Sequence, residues 1–248
     1  LDIVFQYDKI KLVPFGEFLP FENILGKIGL KKITEGHGSF SKGTSSDIFT
    51  LGNLKMLPLI CYEIIFPELS QNEKNLIVNI SEDAWFGNTI GPSQHFAKAI
   101  FRAIENNVYL SMDIYVSDYI LGEGAKKGIL EESLAKERKV GRIQRENFKL
   151  ANSMGALMVL GTDAGIYNHG DNAKQFKYMV DWGMSPLQAI QASTINTAKL
   201  FGLDKVGQIK EGYNADIVGV YSNPLMDITA LEDISFVMKE GKVYKDFN

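Results

Sequence analysis

The sequence predicts an α/β chain built in two parts that join without a linker. Three observations carry this expectation. Compact apolar runs bounded by turn residues alternate with stretches of helical spacing. The texture changes near residue 110, from short strands and loops to long helices. No low-complexity segment or internal repeat lies between the two parts. With 248 residues, 45% of them hydrophobic, the chain has apolar material for one large domain or two small ones.

Taken in order, "KMLPLICYEII" and "NLIVNIS" read as buried strands. "GPSQHFAKAIFRAIENN" reads as a helix with Phe96, Ile100 and Ala103 on one face, Ile104 beside them, and Asn106 and Asn107 as terminators. "YLSMDIYVSDYIL" is a further strand-like run, followed by a charged helix, "EESLAKERKVGRIQRENFKLANSMG". The interleaved acids Glu131, Glu132, Glu137 and Glu146 make that helix a solvated face rather than a binding patch. "ALMVLGTDAG" reads as a buried strand ending in a Gly-flanked acid. "DNAKQFKYMVDWGMSPLQAIQASTINTAKLFG" reads as two helices split at "GMSP", with Gly183 stopping one and Ser185 capping the next. Short β segments with tight turns fill the stretch from Val206 to the end.

Charge and composition narrow the function classes. A net charge of −4 gives no nucleic-acid footprint. One cysteine excludes an internal disulfide. No apolar run approaches the roughly 18 residues of a membrane helix. No basic n-region with an apolar h-region opens the chain, so a soluble protein is expected. The opening "LDIVFQYDKIKLVPF" reads as the middle of a domain, which predicts further residues upstream.

Two constellations bear chemistry. Cys61, in "LPLICYEIIFPEL", is either a small core residue or a nucleophile, and Glu63 follows two residues on, on the same side of the expected strand. His95 invites a Cys–His pairing, but a helix-surface or supporting histidine is the simpler reading. His37 lies in a Gly-rich loop as a loop polar group. Asp163, between Gly161 and Gly165, is either a turn aspartate or a carboxylate at a strand's C-terminal end, where barrel enzymes keep catalytic groups.

"YDKIKLVPFGEFLP", "CYEIIFPEL" and "NISEDAWFGNTIGPSQHFAKAIFRAIENN", in that order, resemble the catalytic domain of apolipoprotein N-acyltransferases, nitrilase-superfamily enzymes, over residues 1–110. The resemblance implies a nitrilase-type α/β sandwich and a Glu–Lys–Cys triad that moves an acyl group from a phospholipid, through a thioester, to a lipoprotein amino terminus. It makes Cys61 the nucleophile and Lys9 the oxyanion-stabilising cation, with Glu17 and Glu63 as supporting acids. Trp85 and Phe86 match the family's aromatic loop. The family's general-base glutamate lies upstream of "YDK", where this chain has no counterpart. The membrane helices that precede the family's domain, an inner-membrane one in bacteria, have none either.

"GTDAGIYNHGDNAKQFKYMVDWGMSPLQAIQASTINTAKLFGL" with "VGQIKEGYNADIVGV" resembles the C-terminal part of metal-dependent amidohydrolases of the imidazolonepropionase-like and Xaa-Pro dipeptidase-like kind, over residues 111–248. This implies the last strands and helices of a (β/α)8 barrel plus part of its small β-domain, acting on a small-molecule or peptide substrate. Asp163 would bind zinc or another divalent metal and shuttle a proton, and His169 would lie near the substrate. The family's H-x-H pair, its lysine and its two later histidines have no match among three histidines. A zinc ion takes about four ligands, three or four of them from protein.

Both ends of the junction are strand-like, so the sequence predicts a chimera of two truncated enzymes, inactive as it stands. An amidohydrolase whose metal site is completed across subunits is a second expectation. A non-catalytic interaction protein, oligomerising through uncovered sheet edges, is a third.

Overall fold

A computed structural model describes residues 4–29, 39–45, 47–81 and 89–247, and the side chain of Ile28 is left aside. The architecture is mixed α/β. The chain divides into two compact units, Leu1–Glu82 and Asp83–Asn248.

The first unit carries a single helical turn, α1 (Glu22–Leu25), and a three-stranded sheet. Strand β1 (Phe49–Leu51) runs antiparallel to β2 (Leu54–Ile60), which runs parallel to β3 (Leu76–Ile80). Gly52, at φ 56°, makes the tight turn between β1 and β2 a low-strain one. Asn75 starts β3. Its Oδ1 accepts from Lys55 N at 2.8 Å and its Nδ2 donates to Asn53 O at 2.8 Å. Strand β2 buries Leu57 and Leu59 on one face.

"CYEII" departs from the expected strand. Cys61 sits at φ 53°, and Cys61–Ile65 forms a 3-10 helix. The cause is visible in the hydrogen bonds: Ile60 N donates to Glu63 Oε2 at 2.8 Å, which turns the chain back on itself. Glu63 therefore does not share a strand face with Cys61.

In the second unit, α2 (Gly91–Glu105) buries Ile100 and Ala103 and packs Phe96 on the core, as its spacing predicts, while Ile104 is exposed. Asn107, at φ 51°, lies just past its end. His95 is buried, not on the helix surface. Strand β4 (Leu110–Met112) is only three residues long. The remainder of "YLSMDIYVSDYIL" turns into α3 (Val116–Tyr119) and a π-helical turn, Ile120–Gly124. Ile114 and Val116 are buried there as they would be in a strand, so apolar content alone could not separate the two.

Helix α4 (Glu131–Ser153) is the charged helix, with the pairs Arg138–Glu131 at 2.7 Å and Arg142–Glu146 at 2.9 Å. Its inner face buries Leu134, Phe148 and Ala151. Strand β5 (Met158–Leu160) pairs in parallel with β4, Leu110 opposite Met158. The expected pair of helices is three: α5 (Lys174–Asp181), α6 (Pro186–Ser193) and α7 (Ile195–Leu200), because Thr194 leaves helical geometry at φ −117° and ψ −93°. Ser185 caps α6 as expected. Its Oγ accepts from Gln188 N at 3.2 Å, and its own N–H donates to Gln188 Oε1 at 2.8 Å. Strands β6 (Ile217–Gly219), β7 (Phe236–Lys239) and β8 (Lys242–Lys245) form an antiparallel sheet in that order.

Candidate functional site

The segment before α1 and the end of β2 form one polar cluster. Lys9 Nζ donates to Glu17 Oε1 at 2.6 Å, and Lys9 keeps only 9% of its side chain exposed. Glu17 Oε2 also accepts from Val13 N at 2.9 Å, so the carboxylate fixes the Pro/Gly turn and the lysine together. Glu63 is fully buried and accepts four hydrogen bonds. Ile10 N (2.6 Å) and Lys11 N (3.0 Å) donate to Oε1, and Ile60 N (2.8 Å) and the Tyr7 hydroxyl (3.0 Å) to Oε2. Burial and the Glu63 charge both hold the Tyr7 hydroxyl protonated well above its ordinary range.

Glu63 thus ties the backbone on the C-terminal side of Lys9 to the residue before Cys61, two places that the sequence separates by some fifty residues. Cys61 is half-buried. Trp85, Phe86 and His37 lie outside the described residues.

In the second unit, two carboxylates follow adjacent parallel strands. Asp113 comes directly after β4, and Asp163 follows β5 through Gly161 and Thr162. Asp163 is exposed and sits at φ 49°. Asp113 is the residue that the sequence reading missed. Its signal was the one used for Asp163, an acid closing an apolar run, but the run was read on through it as strand. Gly161 packs closely beside it: a Cβ there would stand 2.0 Å from Asp113 Oδ1 and 2.3 Å from Ser111 Oγ, so both side chains would have to shift.

Gln175, on α5 and fully buried, brackets Asp113 on both sides: it accepts from Tyr115 N at 2.8 Å and donates to Met112 O at 2.9 Å. Tyr167, five residues from Thr162, donates its hydroxyl to Thr162 O at 2.5 Å and packs edge-on against Tyr115 at 4.9 Å. His169 opens an exposed 3-10 turn on the same loop.

Asp113 Oδ1 is buried and has no hydrogen-bond partner among the described residues. Burial, and then the neighbouring Asp163 charge, push its carboxyl up to about 6. The folded chain therefore holds a proton that the unfolded chain has already lost between about pH 4 and 6. The stability this group contributes is fully present below about pH 4 and is lost as pH rises from there through about 6, a change of up to about 3 kcal/mol. Urea titrations from pH 4.5 to 7.5 should show that decline, and Asp113→Asn should flatten it. An unchanged slope would show that the acid is not buried beside Asp163.

An orphaned carboxylate beside a second one is the kind of donor that a divalent cation takes. The fit to zinc fails on number: no group of three His, Cys, Asp or Glu stands together among the described residues. The residues present would supply Asp163 and Asp113 and no imidazole.

Comparison with known proteins agrees with a two-part chain. The amidohydrolase family profile matches residues 79–245, and the carbon-nitrogen hydrolase profile matches residues 2–114. The apolipoprotein N-acyltransferase of Allorhizobium ampelinum is 49% identical over 105 residues, covering 41% of this chain and 20% of that protein. The same enzyme of Rhizobium rhizogenes is 46% identical over 128 residues, covering 49% and 24%. Among solved structures, a Xaa-Pro dipeptidase with methionine bound in its active site aligns at 32% identity and TM-score 0.54, covering 62% of this chain and 43% of that one. The A. niger ochratoxinase aligns at 26% and 0.51, covering 61% and 40%. The chain thus spans between a fifth and a quarter of these curated relatives and less than half of these solved structures. The two profiles overlap over residues 79–114, which hold α2 and β4.

Proposed function

Because the chain belongs to the amidohydrolase family, we propose that it carries the carboxylate-bearing part of a centre for hydrolysing C–N or peptide-like bonds, and that it does not complete that centre by itself. In this reading β4 and β5 are the last two strands of a (β/α)8 barrel. The sheet of β6, β7 and β8 belongs to the small β-domain beside it, and the parental boundary stays near residue 110. Asp163 would be the metal ligand, Asp113 its acidic neighbour, and His169 a substrate-side residue.

The observation that carries the reading is the Asp113–Asp163 juxtaposition at the C-terminal ends of parallel strands, with no third ligand among the described residues. The test is metal content. After exchange into metal-free buffer and titration with zinc, the purified chain should retain less than about 0.1 zinc per molecule and leave dipeptides and N-acyl amino acids intact. Stoichiometric zinc with metal-dependent hydrolysis would overturn this, and would mean that a second subunit supplies the missing ligands.

A second reading rests on a separate observation, the four-donor Glu63 that fastens the lysine segment to the end of β2. It assigns unit 1 an acyl-carrying thiol: Cys61 takes an acyl group as a thioester, with Lys9 stabilising the oxyanion and Glu17 holding Lys9. A phospholipid would be the donor and a lipoprotein amino terminus the acceptor, as in the parent family. Incubation with an activated acyl ester should add one acyl mass to the chain, and not to the Cys61→Ala variant. Among the described residues no helix is long and apolar enough to cross a membrane.

A further inference from the structure

We propose that Asn79 belongs to the thiol site, as the group that orients an attacking amine on the acylated cysteine. This rests on the acyl-transfer reading above. Strand β3 runs parallel to β2 with Leu59 opposite Asn79 and Ile60 opposite Ile80. Parallel neighbours stand about 4.8 Å apart and opposed residues share a face. Asn79 therefore lies beside Leu59 on the face that buries Leu57 and Leu59, one residue before β2 ends and the chain turns at Cys61. A carboxamide at the end of that apolar row is out of pattern for a core strand.

Its hydrogen bonding sets it apart as well. Asn79 Oδ1 is buried and has no partner among the described residues. Leaving such an acceptor unpaired away from water is unfavourable. Asn75, in the same unit, shows what a structural asparagine does, committing both its Oδ1 and its Nδ2 to backbone groups. An acceptor held unpaired on the strand next to the one that leads into Cys61 is suited to a ligand that brings its own N–H, and the amine acceptor does so.

The step balances without a further reagent. The amine nitrogen attacks the thioester carbon, the new C–N bond forms, the C–S bond breaks, and the amine proton ends on Cys61 Sγ. Asn79 Oδ1 accepts from that amine's N–H while it attacks. Asn79 contributes nothing to the earlier loading of the thiol from an ester.

The full chain, acylated with a p-nitrophenyl ester, would be followed by mass spectrometry as it reacts with a glycyl peptide. Asn79→Leu should acylate and alkylate with iodoacetamide at the wild-type rate, yet transfer to the amine about tenfold more slowly. Asn79→Asp keeps an acceptor and should restore most of the transfer. Unchanged transfer in Asn79→Leu would overturn the assignment and leave the acyl-transfer reading standing. So would an Asn79→Asp variant as slow as the leucine one, since that points to the amide as a donor. A wild-type chain that alkylates but forms no acyl adduct would overturn that reading and this inference with it.

Discussion

Replacing Glu63 by alanine is expected to lower the stability of the N-terminal unit by about 3–5 kcal/mol, a large share of what a unit of this size has. The carboxylate is fully buried, and its removal strands three backbone N–H groups, of Ile10, Lys11 and Ile60. The segment that carries Lys9 then loses its attachment to β2. Glu63→Gln should cost less but still be harmful. One carboxylate oxygen becomes an NH2 that must face either the Ile60 N–H or the Ile10 and Lys11 pair. Only Tyr7 can adapt, by turning its hydroxyl to accept. Hydrogen exchange at the Ile10 and Lys11 amides reports the effect directly. Amides as protected in Glu63→Ala as in the wild type would show that the clamp is not what holds this segment.

Gln175→Leu is the second large effect expected, about 2–5 kcal/mol, felt in the C-terminal unit. The two side chains are close in volume, so packing changes little, but Tyr115 N and Met112 O both lose a buried partner. The urea midpoint should fall with the m-value unchanged. Gln175→Glu separates the two bonds. It keeps the acceptor for Tyr115 N and turns a carboxylate toward Met112 O, so it should be destabilised at neutral pH and recover once protonated. Equal stability of all three chains would remove Gln175 from the support of Asp113.

How much of this was legible follows from the kind of signal each feature leaves. Helix α2, helix α4 and the Ser185 cap were legible because periodicity and capping are local, and each is written within one turn or one face. The end of β2 was not, since "LPLICYEII" is apolar throughout and the chain turns only because Glu63 reaches back to Ile60 N. Asp113 failed for a related reason. The run around it is buried on both sides of the acid, so strand and loop look alike. The matched motif names Lys9 and Glu17 separately, as a cation and a supporting acid, and the hydrogen bond between them needed coordinates. The role of Glu63 as a tie between Tyr7–Lys11 and Ile60 needed coordinates, because its partners are mostly backbone groups far away in sequence. Asn79 left no sequence signal beyond a polar letter in "LIVNI".

The connections between strands carry a consequence for how the chain is made. Strands β1 and β2 are joined by the turn Gly52–Asn53, and β3 follows β2 after the stretch Cys61–Asn75. Strand β4, by contrast, waits for β5 across the 45 residues 113–157. At about 5–20 residues per second, the ribosome needs about 2–9 s to deliver that partner. During that interval the first sheet can close, while Leu110, Ser111 and Met112 wait with their β5-facing backbone groups unpaired. The most vulnerable moment of synthesis therefore falls on the strand that leads into Asp113.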